Sequence, residues 1–101
     1  MVKKISKNEF KEATQGLTLV DFYADWCGPC RMVSPIIEDL SNTMDGVNFV
    51  KVNVDEEGEL AGLYGVRSIP TLILFKDGVE VNRIIGFAPK QKLQQFINSH
   101  M

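Results

Sequence analysis

Residues Trp26 to Cys30 read WCGPC and contain both cysteines of the chain. Two thiols at this spacing can form a permanent disulfide, half of a metal site, or a pair that is reversibly oxidised. A disulfide closing a loop of about four residues contributes only about 2 kcal/mol, which argues against a purely structural bridge. Cys-x-x-Cys is also a common zinc-ligand spacing. There is no third cysteine and the only histidine is His100, so a metal or cluster would have to be shared by two chains.

The spacing also fits a redox pair with unequal members. Pro29 suits the first turn of a helix, where its missing N–H would have had no partner. Cys27 is then expected at the helix N-terminus and Cys30 inside the first turn, close enough for a disulfide. Cys30 is in phase with the buried positions Val33 and Ile37, whereas Cys27 is expected at the exposed end, facing free backbone N–H groups. These donors favour a thiolate, so Cys27 is predicted to attack and Cys30 to resolve.

Length and composition predict one globular domain over residues 1–101. Hydrophobic residues make up 45% of the chain and charged residues 24%, an ordinary globular mixture. The formal charge is -2, and the 11 basic residues are scattered, which argues against nucleic-acid binding. No apolar run approaches the roughly 20 residues of a membrane span, and the N-terminus lacks the apolar segment of a signal peptide. We therefore expect a cytoplasmic protein that does not enter a membrane.

The elements that position the cysteines follow from the local patterns. Ser6 and Glu9 fit a capping box and Gly16 a helix end, so they bracket a first helix. The apolar run LTLVDFYA from Leu17 predicts a strand covered on both faces, with Asp21 as its odd residue. A helix is predicted from Pro29 to about Gly46, with one apolar stripe formed by Met32, Val33, Ile36, Ile37 and Leu40.

The second half of the chain predicts two further helices and three further strands. VNFVKVNV from Val47 indicates a strand, and Asp55 is expected to cap a short helix that ends near Gly65. TLILFK and VEVNRII flank Asp77-Gly78, a strong hairpin signal, and Pro89 suits the start of the last helix. With a short strand over residues 2–5, this order predicts an α/β fold. It has a central mixed sheet of about five strands flanked by about four helices, parallel where helices cross over and antiparallel at the hairpin. WCGPC lies beyond the carboxyl end of a strand, where chemistry collects in such sheets.

The ordered set VDFYADWCGPC, Lys51 within KVNVD, YGVRSIPTLILFKDG and Gly86 resembles the thioredoxins along essentially the whole chain. Gly28 and Pro29 between the cysteines resemble thioredoxins proper rather than glutaredoxins or disulfide isomerases. The resemblance implies the thioredoxin fold and a general protein-disulfide reductase with a redox-active Cys27-Cys30 disulfide. It also implies a monomer with no bound cofactor or metal, which acts on disulfide-containing proteins and receives electrons from NADPH through a thioredoxin reductase.

The resemblance further assigns roles to residues outside the motif. The aspartate at the position of Asp21 is buried behind the cysteines and helps to move the proton of the resolving thiol. Burial should raise the pKa of this carboxyl, and Lys51, which matches its usual partner, should oppose the rise. Asp21 alone would otherwise be read as a structurally paired acid.

Four more positions are implied to support the site or to bind substrate. The family holds the proline at Pro70 in a cis peptide bond beside the cysteines, although X-Pro bonds are usually trans. The backbone of Ile69 would then pair with an extended substrate peptide. Trp26 is expected to stack beside the site and present an apolar surface. Gly86 would permit close substrate approach, although a strand bulge explains it almost as well.

Two positions depart from the family pattern and leave partner preference open. Tyr23 stands where many thioredoxins have a second tryptophan, and Ser68 replaces a frequent glycine. Two alternatives to a general reductase therefore remain at this point. One is an enzyme of the same fold dedicated to a single partner, and the other is a binding subunit whose activity depends on its surface rather than on its thiols.

Overall fold

The computed structural model describes residues 1–101 and contains five strands and four helices. The strands are β1 (Lys3–Lys4), β2 (Leu17–Tyr23), β3 (Asn48–Asn53), β4 (Thr71–Lys76) and β5 (Val79–Ile85). The helices are α1 (Lys7–Ala13), α2 (Gly28–Thr43), α3 (Gly58–Leu63) and α4 (Lys90–Asn98). The number and order of the elements confirm the prediction from sequence.

The strands form one mixed sheet in the order β1-β3-β2-β4-β5. β1 and β2 both pair with β3 in parallel, whereas β4 is antiparallel to β2 and to β5. The sheet is mixed, as predicted, but the prediction that strands linked by a helix run parallel does not hold for β3 and β4, which α3 links. This helix has six residues and spans about 9 Å, less than half the roughly 20 Å length of the adjoining strands. The chain does not return to the far end of the sheet, so Thr71 at the start of β4 pairs with Phe22 near the end of β2.

Side chains alternate along the strands between two apolar cores. Leu17 and Leu19 of β2 belong to the core under α2 and α4, and Val20 and Phe22 belong to the core under α1 and α3. The sheet thus separates two helical layers, as the covered strands predict. Asp21 has the parity of Leu19, which directs its side chain to the α2 side.

Helix ends and turns agree with the local signals at most positions. The Glu9 carboxylate accepts the Ser6 backbone N–H at 3.0 Å at the start of α1. Asp77 and Gly78 both have positive φ angles, 50° and 83°, as a tight turn between β4 and β5 requires. Asp55, however, does not cap α3, whose N-cap is Glu57.

The apolar stripe of α2 is narrower than its sequence suggests. Val33, Ile37 and Leu40 are buried, whereas Met32 is 62% exposed. Each residue of an α-helix is rotated by about 100° from the one before it, so Met32 points away from the core that Val33 faces. The assignment of Met32 to the buried stripe is therefore wrong.

A β-bulge interrupts the hairpin between Leu74 and Phe75. Phe75 pairs with Glu80 and Leu74 pairs with Asn82, so Val81 is an extra residue without a partner. In a regular strand residues 80 and 83 would point to opposite faces. The extra residue places Glu80 and Arg83 on the same face, where the Glu80 carboxylate accepts bonds from Arg83 Nε and a terminal guanidinium nitrogen at 2.6 Å each.

Candidate active site

The two cysteines form a disulfide at the N-terminus of α2. Their Cα atoms lie 5.2 Å apart, within the normal range for such a bond. Cys27 is the N-cap, and its Sγ accepts the backbone N–H of Cys30 at 3.2 Å. This bond confirms that Cys27 faces a free helix donor. The expected difference in exposure is wrong: Cys27 is 4% exposed and Cys30 is 3% exposed, because both belong to a small buried cluster with Ala24, against which Ile69 packs.

Gly28 and Pro29 begin the helix between the two cysteines. Pro29 occupies the first turn of α2, as predicted, where the helix needs no N–H from it. A Cβ atom added to Gly28 would meet nothing within 4 Å, so packing within the chain does not require a glycine there. The structure contains no group of three or more His, Cys, Asp or Glu side chains that could hold a metal ion.

The Ile69-Pro70 peptide bond lies beside the disulfide and is cis, as the resemblance implies. The Ile69 carbonyl oxygen is 3.7 Å from Cys27 Sγ. This proximity depends on the direction of β4, which starts at the end of the sheet where β2 stops. The loop is also fixed from the other side, because the Thr71 hydroxyl donates to the Ser68 carbonyl at 2.5 Å.

Asp21 and Lys51 lie beneath the N-terminal part of α2, next to the resolving position. They are register partners on β2 and β3, and both line a cavity of about 170 Å3 together with Cys30 and Ser34. Asp21 is only 3% exposed, and its Oδ1 has no hydrogen-bond partner. Burial raises the pKa of Asp21 to about 7, and the positive charge of Lys51 opposes that rise. Both effects have the direction expected from the sequence.

Trp26 stands at the rim of the site. It is 68% exposed, and its indole Nε1 donates to Asp55 Oδ2 at 2.8 Å. Asp55 thus holds the ring of Trp26 instead of capping α3. Sequence reasoning missed this partner, although an aspartate at the carboxyl end of β3, beside the β2–α2 connection, was a usable signal for a polar contact at the site.

Gly86 follows β5 and contacts the cis-proline segment through its backbone. Its N–H donates to the Pro70 carbonyl at 2.7 Å, and its φ of +92° lies in the region that favours glycine. The bulge of the hairpin lies elsewhere, at Val81, so a bulge does not account for this glycine. All ten residues that the sequence predicts for the site therefore lie around one end of the sheet. The sequence reading missed Ser34, which is four residues after Cys30 and so on the same side of α2.

A cysteine pair at a helix N-terminus, beyond the ends of parallel strands and oxidised to a disulfide, defines a thiol–disulfide oxidoreductase of the α/β class. The family model described as Thioredoxin matches residues 1–99, and the chain belongs to that family. It is 46% identical to the thioredoxin of Bacillus subtilis, covering 100% of this chain and 98% of the relative. It is 52% identical to the thioredoxin of Chlamydia pneumoniae, covering 99% of each.

Solved structures agree with the family assignment. A mutant thioredoxin from Halobacterium salinarum superposes with a TM-score of 0.91 at 40% identity, covering 96% of this chain and 88% of that one. The fold is therefore the thioredoxin fold, with a five-stranded mixed sheet and four helices. The protein is a protein-disulfide oxidoreductase that works through the Cys27-Cys30 pair.

Proposed function

We propose that the protein is a general protein-disulfide reductase in which Cys27 is the nucleophile and Cys30 the resolving thiol. The observation that carries this assignment is the bond from the Cys30 N–H to Cys27 Sγ, at 3.2 Å. A thiolate at the same position would accept this donor and lie at the positive end of the α2 dipole. Cys30 lies within the first turn and has no comparable interaction.

The reaction consists of two thiol–disulfide exchanges. The Cys27 thiolate attacks one sulfur of the substrate disulfide, which forms a mixed disulfide and releases the other substrate sulfur as a thiolate that takes up a proton. Cys30 then loses its proton and attacks Cys27 Sγ. The mixed disulfide breaks, the second substrate sulfur leaves as a thiol, and the Cys27-Cys30 disulfide forms. The substrate gains two electrons from the cysteine pair and two protons, one that Cys30 gives up and one from solvent, because Cys27 reacts as a thiolate.

Asp21 is proposed to accept the proton of Cys30 in the second exchange. Support comes from the shared cavity, which Asp21 and Cys30 both line, and from the unpartnered Oδ1 of the buried carboxyl. A carboxyl with a pKa of about 7 can take and release a proton near neutral pH, where an ordinary aspartate would remain ionised. Lys51 keeps this pKa from rising further.

Substrate peptides are proposed to bind in an extended conformation across the cis-proline segment. Pro70 offers no N–H, which leaves the backbone of Ile69 as the pairing edge next to Cys27. Trp26 would supply an exposed apolar wall, and Gly86, bonded to the Pro70 carbonyl, would fix the other side of the segment. No atom of the chain lies within 4 Å of a Cβ built on Gly28, so a bound chain could approach its backbone.

The remaining parts of the proposal concern partners and location. The substrates are disulfide-containing proteins, and electrons come from NADPH through a thioredoxin reductase, so the chain itself binds no cofactor or metal. We infer that residues 1–101 act as one domain, as a monomer in the cytoplasm. No helix of the structure is both long enough and apolar enough to cross a bilayer.

The cysteine roles can be tested on a disulfide-bonded test protein with dithiothreitol as the electron donor, which removes any need for the natural reductase. The comparison includes the wild type, Cys27→Ser and Cys30→Ser. We expect only the wild type to accelerate reduction beyond the rate with dithiothreitol alone. In a separate incubation of the pre-reduced proteins without dithiothreitol, which would cleave the adduct, we expect a covalent mixed disulfide with the test protein only for Cys30→Ser. Mass spectrometry after alkylation identifies the linked cysteine.

Two outcomes would contradict the proposal. A mixed disulfide through Cys30 in Cys27→Ser would reverse the two roles. A wild type that does not reduce the test protein, but binds one partner tightly whether or not Cys27 and Cys30 are both replaced by serine, would identify a binding subunit instead. The doubly substituted protein also serves as the control for non-covalent association.

A further inference from the structure

Asp21 and Lys51 are neighbours that do not pair. They lie opposite each other in the register of β2 and β3, where adjacent strands are about 4.8 Å apart, so a lysine side chain can reach the carboxylate. Yet none of the salt bridges in the structure includes either residue. The buried Oδ1 of Asp21 remains without any partner. The Lys51 ammonium therefore makes its contact elsewhere.

The Tyr23 ring provides that alternative contact. Lys51 Nζ lies over its face, 5.4 Å from the ring centroid, within the range of a cation–π interaction. Tyr23 and Lys51 line the same cavity as Asp21. The ring is itself fixed, because Tyr23 packs against the small cluster that contains both cysteines. An ammonium over a fixed ring has a defined place at the wall of the cavity.

Resting on the function proposed above, we propose that Tyr23 is a positioning residue, which holds the Lys51 ammonium over its ring and apart from the Asp21 carboxylate. The positive charge of Lys51 then acts on the Asp21 carboxylate over a distance, without a direct ion pair. A direct ion pair would hold Asp21 in its ionised form. The separation therefore leaves the carboxyl free to exchange a proton with the thiol beside it.

The charges around Asp21 determine how this arrangement should respond to a change. Besides Tyr23 on β2 and Lys51 on β3, the titratable and charged groups that line the cavity are Asp25, Cys30 and Arg31. In the oxidised protein Cys30 is part of the disulfide and does not titrate. The titration of Asp21 in this state therefore reports on its surroundings without the thiol, and without any reductase activity.

The test is the NMR titration of the Asp21 side-chain carboxyl carbon in the oxidised protein. In Tyr23→Leu the ring is lost, the ammonium is free to close on the unpartnered oxygen, and we expect the titration midpoint to fall by about 1 pH unit or more. Tyr23→Val is a second ring-free variant, whose β-branched side chain suits a strand. Tyr23→Phe and Tyr23→Trp keep a ring face and should stay near the wild-type midpoint.

The lysine-free background distinguishes positioning from a change in solvation. If Tyr23 acts through the ammonium, the downward shift of Tyr23→Leu disappears when Lys51→Met is also present. A shift that persists without the lysine would mean that the ring only excludes water, and would overturn the proposal. An unchanged or raised midpoint in both ring-free variants would overturn it as well. Because the oxidised protein is titrated without substrate, these results do not depend on whether the reductase assay succeeds.

Discussion

Asp21 is a carboxyl placed in an apolar layer, and its ionisation must act against folding. The pKa of an aspartate is about 3.9 in an unfolded chain and about 7 at this site. Between these values the folded state binds more protons than the unfolded state. The free energy of unfolding therefore falls as pH rises through this window, and is constant with respect to Asp21 below and above it.

We expect Asp21→Asn to remove this pH dependence. The free energy of unfolding of the variant should exceed that of the wild type by an amount that grows from pH 4 to pH 8, reaching about 4 kcal/mol at most. Denaturant unfolding of both proteins at several pH values, in the oxidised state, measures the difference. A difference that stayed constant over this range would mean that Asp21 has an ordinary pKa.

Only some of the side-chain contacts at the site can be predicted from the sequence. An acid within the apolar run of β2 is visible in the sequence, as is Lys51 in β3. The contact of Lys51 with Tyr23 is not, because the four rotatable bonds of a lysine let its ammonium reach several neighbours. The partner of Trp26 was missed for a related reason. Aspartate is a common helix-capping residue, but the Asp55 carboxylate instead accepts a hydrogen bond from the Trp26 indole.

Among the elements, α3 and β5 are joined by one side chain. Arg83 donates to the Tyr64 carbonyl at 2.8 Å, at the end of α3, while its guanidinium is held by Glu80. Free carbonyls at a helix C-terminus need such a partner. The segment that follows Tyr64 leads to Ile69 and Pro70, so this bond fixes the start of the loop that carries them.

We expect Arg83→Met to lower the free energy of unfolding by about 1 to 3 kcal/mol, because a charged donor to a partly buried carbonyl is lost. Glu80→Gln is the matched control. It removes the charge of a partly exposed pair but keeps Arg83, and should cost less than about 1 kcal/mol. Urea unfolding curves give both values, and equal losses would show that the ion pair, rather than the bond to Tyr64, is what matters.

Strands and helices were largely predictable, whereas the direction of β4 was not. The boundaries of β2 and the turn at Asp77 and Gly78 follow from local patterns, an apolar run and a residue pair that tolerates positive φ. The direction of β4 depends on where a short α3 leaves the chain, which is not a local property. Val81 escaped prediction because a bulge appears only when two strands are set in register.

For the molecule as a whole, the disulfide is a minor contributor to stability. It closes a loop between residues only three apart, whereas the two apolar cores extend over both faces of the sheet. Loop closure of this length contributes about 2 kcal/mol. The fold is therefore expected to persist when the cysteine pair cycles between its two states.

We expect the reduced protein to stay folded, with a free energy of unfolding lower than that of the oxidised protein by about 2 kcal/mol. Guanidinium unfolding with and without excess dithiothreitol, followed by far-UV circular dichroism, measures the difference. The doubly substituted Cys27→Ser, Cys30→Ser protein is the control, because dithiothreitol should not change its unfolding curve. Loss of the folded signal on reduction would show that the disulfide is a structural bridge.

The extra residue in the hairpin has a consequence for aggregation. The sheet ends at β5, where Val79, Val81 and Ile85 are 65%, 40% and 63% exposed. A straight apolar edge of this kind is a template on which further strands can add and a fibril can grow. Val81 has no partner in the hairpin and bends the edge within the segment that would otherwise recruit another chain. We therefore expect the unpaired residue to hinder the addition of further strands to this edge.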